Sequence, residues 1–177
     1  MPLHPEFTLV LGGARSGKSR YAESLVAATA PPWIYVATAQ ALDTEMAERI
    51  AHHQARRGTG WHTVEAPHRL ADAIDAAPAG ALLVDCMTLW LTNRMLVRAD
   101  IEPDIEAETG GVEAALARRG GLAVLVSNEV GSGIVPENAL ARRFADLQGR
   151  LNQRLAARAD RVVLVVAGLP LIVKGQA

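Results

Sequence analysis

Gly12-Gly13-Ala14-Arg15-Ser16-Gly17-Lys18-Ser19 has the spacing G-x-x-x-x-G-K-S, directly after an apolar run and at the start of an amphipathic segment. That spacing suits the capture of a polyphosphate. Glycines let the loop turn backbone N–H groups inward around an anion, and the following helix adds the positive end of its dipole. Lys18 would reach β and γ oxygens, and the Ser19 hydroxyl would ligate Mg²⁺. Only two of the 18 basic residues are lysine, Lys18 and Lys174, so a lysine here stands out. A second acid is expected beside such a loop. Ala81-Leu82-Leu83-Val84-Asp85 ends an apolar strand with one, placing Asp85 to hold Mg²⁺ directly or through water.

The other candidate group is His52-His53, within the run from Asp43 to Arg57. Asp43 is a suitable N-cap, and Glu45 and Glu48 lie near the first turn, where negative charge is favoured. At 100° per residue Met46, Ile50, His53 and Arg57 share one face, while Glu45, Arg49, His52 and Arg56 share a polar flank. His53 is thus expected to turn toward the protein body and His52 toward solvent. Three chemistries fit the pair: a solvated histidine beside a hydrogen-bonded one, a metal site, or a nucleophile. A metal site lacks a third ligand at suitable spacing. A neutral imidazole can attack phosphorus, with Arg49, Arg56 and Arg57 offsetting phosphate charge.

The elements that must position these groups alternate between short Val/Leu/Ile runs and longer amphipathic stretches, which implies an α/β fold with a mostly parallel, buried sheet. Strands are expected at Phe7 to Gly12, Trp33 to Thr38, Ala81 to Asp85, Leu122 to Ser127 and Arg161 to Ala167, with a weaker one at His62 to Glu65. Helices are expected at Lys18 to Ala28, Asp43 to Arg57, His68 to Ala76, Thr88 to Val97, Glu106 to Arg119 and Glu137 to Ala159. Leu140, Phe144, Leu147, Leu151 and Leu155 form a stripe on the last helix that faces either the sheet or a neighbouring subunit. Ala99 to Gly111, with Pro103 and Gly110-Gly111, reads as a mobile surface excursion. Residues 1–177 read as a single nucleotide-binding domain.

Composition narrows the partners. With 18 basic and 19 acidic residues the net charge is −1, which offers no electrostatic footprint for nucleic acid or an anionic membrane. The single cysteine, Cys86, and an N-terminus without signal-peptide features imply a cytoplasmic protein. Val162 to Val173 is the longest uncharged apolar run, and Gly168 and Pro170 interrupt it well short of the roughly 20 residues of a membrane span.

Five segments together resemble the bifunctional adenosylcobinamide kinase/adenosylcobinamide-phosphate guanylyltransferase family of cobalamin synthesis. They are GGARSGKS at Gly12 to Ser19, Tyr35 to Gln40, the Glu45-Met46 to His52-His53 helix, Trp61 to Glu65, and Val126 to Asn138 with its S-N-E-V-G-S-G-I-V-P-E-N string. The resemblance implies a P-loop NTPase-like three-layer sandwich and two reactions. A nucleoside triphosphate, ATP or GTP, phosphorylates adenosylcobinamide; GMP then passes from GTP to that phosphate through a guanylylated histidine, giving adenosylcobinamide-GDP. It also implies that His53 carries the GMP, that GTP contacts come from Gly12, Gly13, Ala14, Arg15, Ser16, Gly17, Lys18 and Ser19, from Ala37, Thr38 and Ala39, from Gln54, Ala55, Arg56 and Arg57, and from Glu65 and Asp85, and that the chain forms a homotrimer. Asp85 stands where the family often has Glu. Glu129, beyond the strand that ends at Ser127, is a candidate base for the kinase step or else a loop-capping carboxylate. A single-activity small-molecule kinase would not need His53. A guanine-nucleotide switch would be expected to carry N-K-x-D, which none of the four asparagines begins.

Overall fold

The computed structural model describes residues 7–41, 43–96 and 104–176; within helix α2 the side chains of Glu45, Arg49, His52, His53, Gln54 and Arg56 lie outside that description. Among the described residues seven strands form one sheet: β1 (Phe7–Gly12), β2 (Trp33–Ala37), β3 (Trp61–Glu65), β4 (Ala81–Asp85), β5 (Ala123–Asn128), β6 (Arg161–Val166) and β7 (Leu169–Lys174). Their order is β3-β2-β4-β5-β1-β6-β7, with β7 antiparallel to β6 and every other pair parallel. The helices are α1 (Lys18–Ala27), α2 (Thr44–Arg56), α3 (Leu70–Ala76), α4 (Met87–Leu96), α5 (Ile105–Arg119) and α6 (Ala139–Arg158).

Alternate residues of the central strands feed two separate cores, as expected of a sheet covered on both faces. Leu9, Ile34, Val36, Leu82, Val84 and Leu125 pack with Ile74, Trp90, Val112, Leu151 and Leu155 from α3, α4, α5 and α6. Val10, Tyr35, Leu83, Val124, Val126 and Val163 pack with Ala22 and Val26 of α1. The α6 stripe therefore divides: Leu151 and Leu155 are buried against the sheet, Phe144 and Leu147 flank that core, and Leu140 is exposed.

One strand was not expected, and one expectation needs correction. The apolar run from Val162 folds back on itself, because Ala167 and Gly168 both have positive φ (53° and 81°) and close a tight hairpin into the edge strand β7. Pro170 is tolerated there, since an edge strand has one unpaired side. The expected excursion is helical from Ile105 onward, while residues 97–103 lie outside the described residues. Asp104 caps α5 by accepting from the Ala107 N–H (2.9 Å), and burial of Ile105, Thr109 and Val112 outweighs the helix cost of two glycines. A Cβ on Gly111 would make only an ordinary contact with Ala71 of α3 (3.6 Å), whereas one on Gly110 would lie a tight 3.0 Å from Arg154 Nη2 of α6.

Beneath the carboxyl end of β5 sits a buried polar cluster. Asn152 Oδ1 accepts from Ser127 Oγ (2.7 Å) and Gln148 Nε2 (2.9 Å), and Asn152 Nδ2 donates to the Asn128 carbonyl (3.0 Å). Gln148 Nε2 also donates to Ser127 Oγ (2.9 Å). Removing one member leaves the buried groups it bonded unpaired. Asn152→Ala is expected to cost about 2–3 kcal/mol, measured as a fall in the urea midpoint without change of slope.

Candidate active site

Parallel register brings residues far apart in sequence to one edge of the sheet. Ala37 is paired with Glu65 on one side and Asp85 on the other, Asp85 with Val126, and Gly12 with Asn128 and Val165. The loop after β1, the end of β2, the last residue of β3 and the acid of β4 thus share the carboxyl edge, where open α/β sheets collect ligands. Glu65 is exposed there and Asp85 half-buried.

The loop Gly12 to Gly17 is braced from beneath. Gly168 of the β6–β7 turn donates its N–H to the Ser16 carbonyl (2.8 Å), and the Gly12 carbonyl accepts from the Glu129 N–H (3.1 Å). A Cβ on Gly12 would meet Ser16 Oγ and lie 2.7 Å from the Val165 carbonyl oxygen, so this position requires glycine. Gly17 has φ 94°, and a Cβ there would lie 3.2 Å from the Gly168 backbone. Ser16 Oγ is buried without a partner among the described residues. α1 starts at Lys18, so its first N–H groups face the loop.

Lys18 Nζ donates to the Gly13 carbonyl (3.1 Å), lying across the loop. Burial pushes its pKa below the ordinary lysine range, opposed by the nearby Cys86 and Asp85. Ser19 follows on α1 and Asp85 ends β4, so the hard oxygen donors implied for Mg²⁺ come from two elements at the same edge. Among the described residues no group of three or more His, Cys, Asp or Glu can hold a metal by itself. One hydroxyl and one carboxylate fit an ion that takes its remaining ligands from phosphate and water.

Asp85 is held by neighbours that sequence reading did not single out. Tyr35 of β2 donates its hydroxyl to Asp85 Oδ2 (3.2 Å). Thr38 is fully buried, and its hydroxyl both accepts from the Cys86 N–H (2.8 Å) and donates to the Cys86 carbonyl (2.7 Å). The Thr38 N–H donates to the Asp85 carbonyl (3.3 Å), and the Thr38 carbonyl accepts from Asn93 Nδ2 (2.8 Å). Every polar group of Thr38 is therefore engaged within the protein. Ala37 and Ala39 on either side are half-buried. Tyr35 and Asn93 carried no signal in the sequence, since each reads as an ordinary strand or helix residue until its partners are known.

α2 carries His52, His53, Gln54, Ala55 and Arg56 in its final turns. Ala55 is exposed, while the side chains of the other four lie outside the described residues, so the inward turn expected of His53 does too. Met46 and Ile50, on the expected inner face, are half-buried. Arg57, immediately after the helix, stacks its guanidinium 3.4 Å from the centroid of the Tyr35 ring, and its buried Nη1 has no partner among the described residues. Glu129 is exposed and accepts from the Gly131 N–H (2.8 Å), the loop-capping geometry.

The family model for cobinamide kinase/cobinamide phosphate guanyltransferase matches residues 8–173. The chain belongs to this family. It is 48% identical over 170 residues to the bifunctional adenosylcobalamin biosynthesis protein CobP of Pseudomonas aeruginosa, covering 95% of this chain and 97% of that one. It is 48% identical over 179 residues to CobU of Salmonella typhimurium, covering 94% and 98%. Similar solved structures include an ATPase of a bacterial type III secretion system (TM-score 0.58, 13% identity, 94% of this chain and 56% of that one) and the KaiC-like protein PH0186 of Pyrococcus horikoshii (TM-score 0.51, 14% identity, 89% and 69%). These two share the P-loop α/β fold. The chain is thus a bifunctional cobinamide kinase and cobinamide phosphate guanylyltransferase of adenosylcobalamin biosynthesis, with nucleoside triphosphates as substrates. No helix among the described residues is long and apolar enough to cross a membrane.

In this kinase/guanylyltransferase the cysteine beside the phosphate loop is not built for nucleophilic attack. Cys86 is buried, and that burial, reinforced by Asp85, pushes its thiol up to about 12. The folded state therefore keeps a proton that the unfolded chain releases near pH 9. Stability from this thiol is complete below that pH and is lost as pH rises toward 12. Cys86 is expected to resist iodoacetamide at pH 8 until urea unfolds the chain. Cys86→Ala should fall less steeply in stability between pH 9 and 11 than the native protein.

Proposed function

We propose that both reactions use one nucleotide site and differ in the nucleophile presented to it. In the first, the terminal hydroxyl of adenosylcobinamide attacks the γ-phosphorus of ATP or GTP. In the second, His53 attacks the α-phosphorus of GTP and pyrophosphate leaves. The phosphate of adenosylcobinamide phosphate then attacks the histidine-bound GMP, giving adenosylcobinamide-GDP and free His53. Splitting the transfer into two displacements is covalent catalysis and implies ping-pong behaviour. The observation that carries this reading is that the phosphate loop and Asp85 share one sheet edge, and that Arg57, which directly follows the histidine helix, stacks on the tyrosine that bonds Asp85.

Lys18 and the α1 N-terminus offset charge on the β- and γ-phosphates, which are the transferred group and its bridge in one reaction and the leaving group in the other. Ser19 and Asp85 would hold Mg²⁺, which supplies further charge neutralisation on the same oxygens. Ala37 and Ala39, Gln54 to Arg57, and Glu65 complete the GTP surface in this reading, with Thr38 acting through the strand end it fixes. Glu129 serves as candidate base for the kinase hydroxyl. His52, on the polar flank, supports the nucleophile without carrying GMP.

Incubation with α-labelled GTP and Mg²⁺, without corrinoid, tests the covalent step. The native protein should take up label that is acid-labile and alkali-stable, the mark of a phosphorus–nitrogen bond. His53→Ala should abolish that label and leave kinase turnover; His52→Ala should keep it. Label retained by His53→Ala would overturn the assignment. Lys18→Met should lower both activities by on the order of 10²-fold or more, as expected for loss of a charge on the transferring phosphates.

The homotrimer is proposed on the same footing. β7 is a sheet edge, and Leu169, Leu171 and Val173 along one of its faces are 72%, 59% and 61% exposed. A row of that kind marks an interaction surface. The protein is further placed in the cytoplasm, in keeping with its one buried free thiol. Light scattering on eluting protein should give the mass of three chains, and Leu171→Glu should shift it toward one.

A further inference from the structure

Tyr35 occupies a singular place between the phosphate loop and the histidine helix, because both parts of its side chain are committed to groups of the proposed nucleotide site. Its hydroxyl donates to Asp85 Oδ2 (3.2 Å), and its ring face carries the Arg57 guanidinium (3.4 Å to the centroid). The ring cannot easily turn. It is 6% exposed and meets Trp61 edge-on (centroids 6.3 Å, planes at 79°). Trp61 in turn leans on Trp33 (5.5 Å), whose Nε1 is tied to the Thr29 carbonyl (3.0 Å). β2 and β4 also hold the two residues by backbone pairing, with Tyr35 opposite Leu83 and Ala37 opposite Asp85.

Core filling alone does not account for this residue. Phenylalanine would fill the same volume and still carry Arg57, but it would leave Asp85 without the hydroxyl donor. An aliphatic residue would lose the cation–π seat as well. Stacking occupies one face of the guanidinium, and the buried Nη1 of Arg57 has no partner among the described residues. The carboxylate likewise keeps its second oxygen.

We propose that Tyr35 is a positioning residue that sets both sides of the nucleotide site at once, its hydroxyl fixing the Asp85 carboxylate beside Lys18 and its ring fixing the Arg57 guanidinium at the end of the histidine helix. This rests on the reading above of Asp85 as a Mg²⁺ group and of Arg57 as a nucleotide contact. The two functions are separable by substitution. Tyr35→Phe removes the Asp85 link and keeps the Arg57 seat; Tyr35→Leu removes both.

Calorimetric binding of a non-hydrolysable GTP analogue to the full-length protein, with Mg²⁺ and again with EDTA, separates the two without relying on turnover. The native protein should bind more tightly with Mg²⁺. Tyr35→Phe should keep the EDTA affinity and lose about 3- to 10-fold of the Mg²⁺-dependent gain, the scale of one hydrogen bond to a charged group. Tyr35→Leu should in addition weaken binding in EDTA by a similar factor. Asp85→Asn serves as the control. If it removes the Mg²⁺-dependent gain and Tyr35→Phe does not, the positioning proposal falls while the reading of Asp85 stands. If Asp85→Asn changes nothing, that reading fails and the hydroxyl half of the proposal fails with it. Equal EDTA affinities for Tyr35→Phe and Tyr35→Leu would overturn the Arg57 half. Tyr35→Phe conserves core volume, so the hydroxyl half remains open to refutation even if the leucine variant fails to fold.

Discussion

Parallel pairing with fixed register is the constraint on which the rest of this molecule depends. In a parallel sheet every strand ends at the same edge, so residues placed last in β1, β2, β3 and β4 become neighbours whatever their separation in the chain. A slip of one residue would send each side chain to the opposite face. It would carry Tyr35 from the α1 core to the core beneath α3 to α6, where its hydroxyl would no longer meet Asp85. Two apolar cores, one on each face, hold the register in place.

That edge is braced by backbone bonds and by buried polar side chains. The Gly168 N–H, the Glu129 N–H and the absence of Cβ atoms at Gly12 and Gly17 support the phosphate loop from outside the anion pocket. Thr38 commits all of its polar groups to Asp85, Cys86 and Asn93, and so fixes the strand end that carries the acid. Lys18 rests on the Gly13 carbonyl, a neutral acceptor that a phosphate would outcompete. Such preorganisation suits the proposed use of one loop for two transfers, since each would develop charge on the same polyphosphate.

Much of this was legible in the chain. Continuous apolar Val/Leu/Ile runs and the 3.6-residue patterns between them located six strands and six helices to within a residue or two, since strands covered on both faces are apolar throughout and the helices on one side only. The edge strand β7 was not legible. Gly168 and Pro170 break its apolar run, and its exposed face supplies no alternation of buried and polar residues. Gly110-Gly111 misled in the opposite direction, because burial of Ile105, Thr109, Val112 and Ala115 carries α5 through two residues of low helix preference, and that burial is a property of packing and not of local preference.

For the site, the sequence by itself determined the chemistry available: a phosphate-cradling loop with its lysine and serine, an acid at a strand end, and a histidine pair on a helix. Those depend on residue type and short spacing, which a chain displays directly. Only the tertiary structure decided which groups meet. The stacking of Arg57 on Tyr35, the bond from Tyr35 to Asp85 and the engagement of Thr38 with Cys86 join residues 22, 50 and 48 positions apart. Contacts at such separations leave no local pattern, because they are set by strand order and register, which come from the burial of the whole sheet rather than from any segment of it.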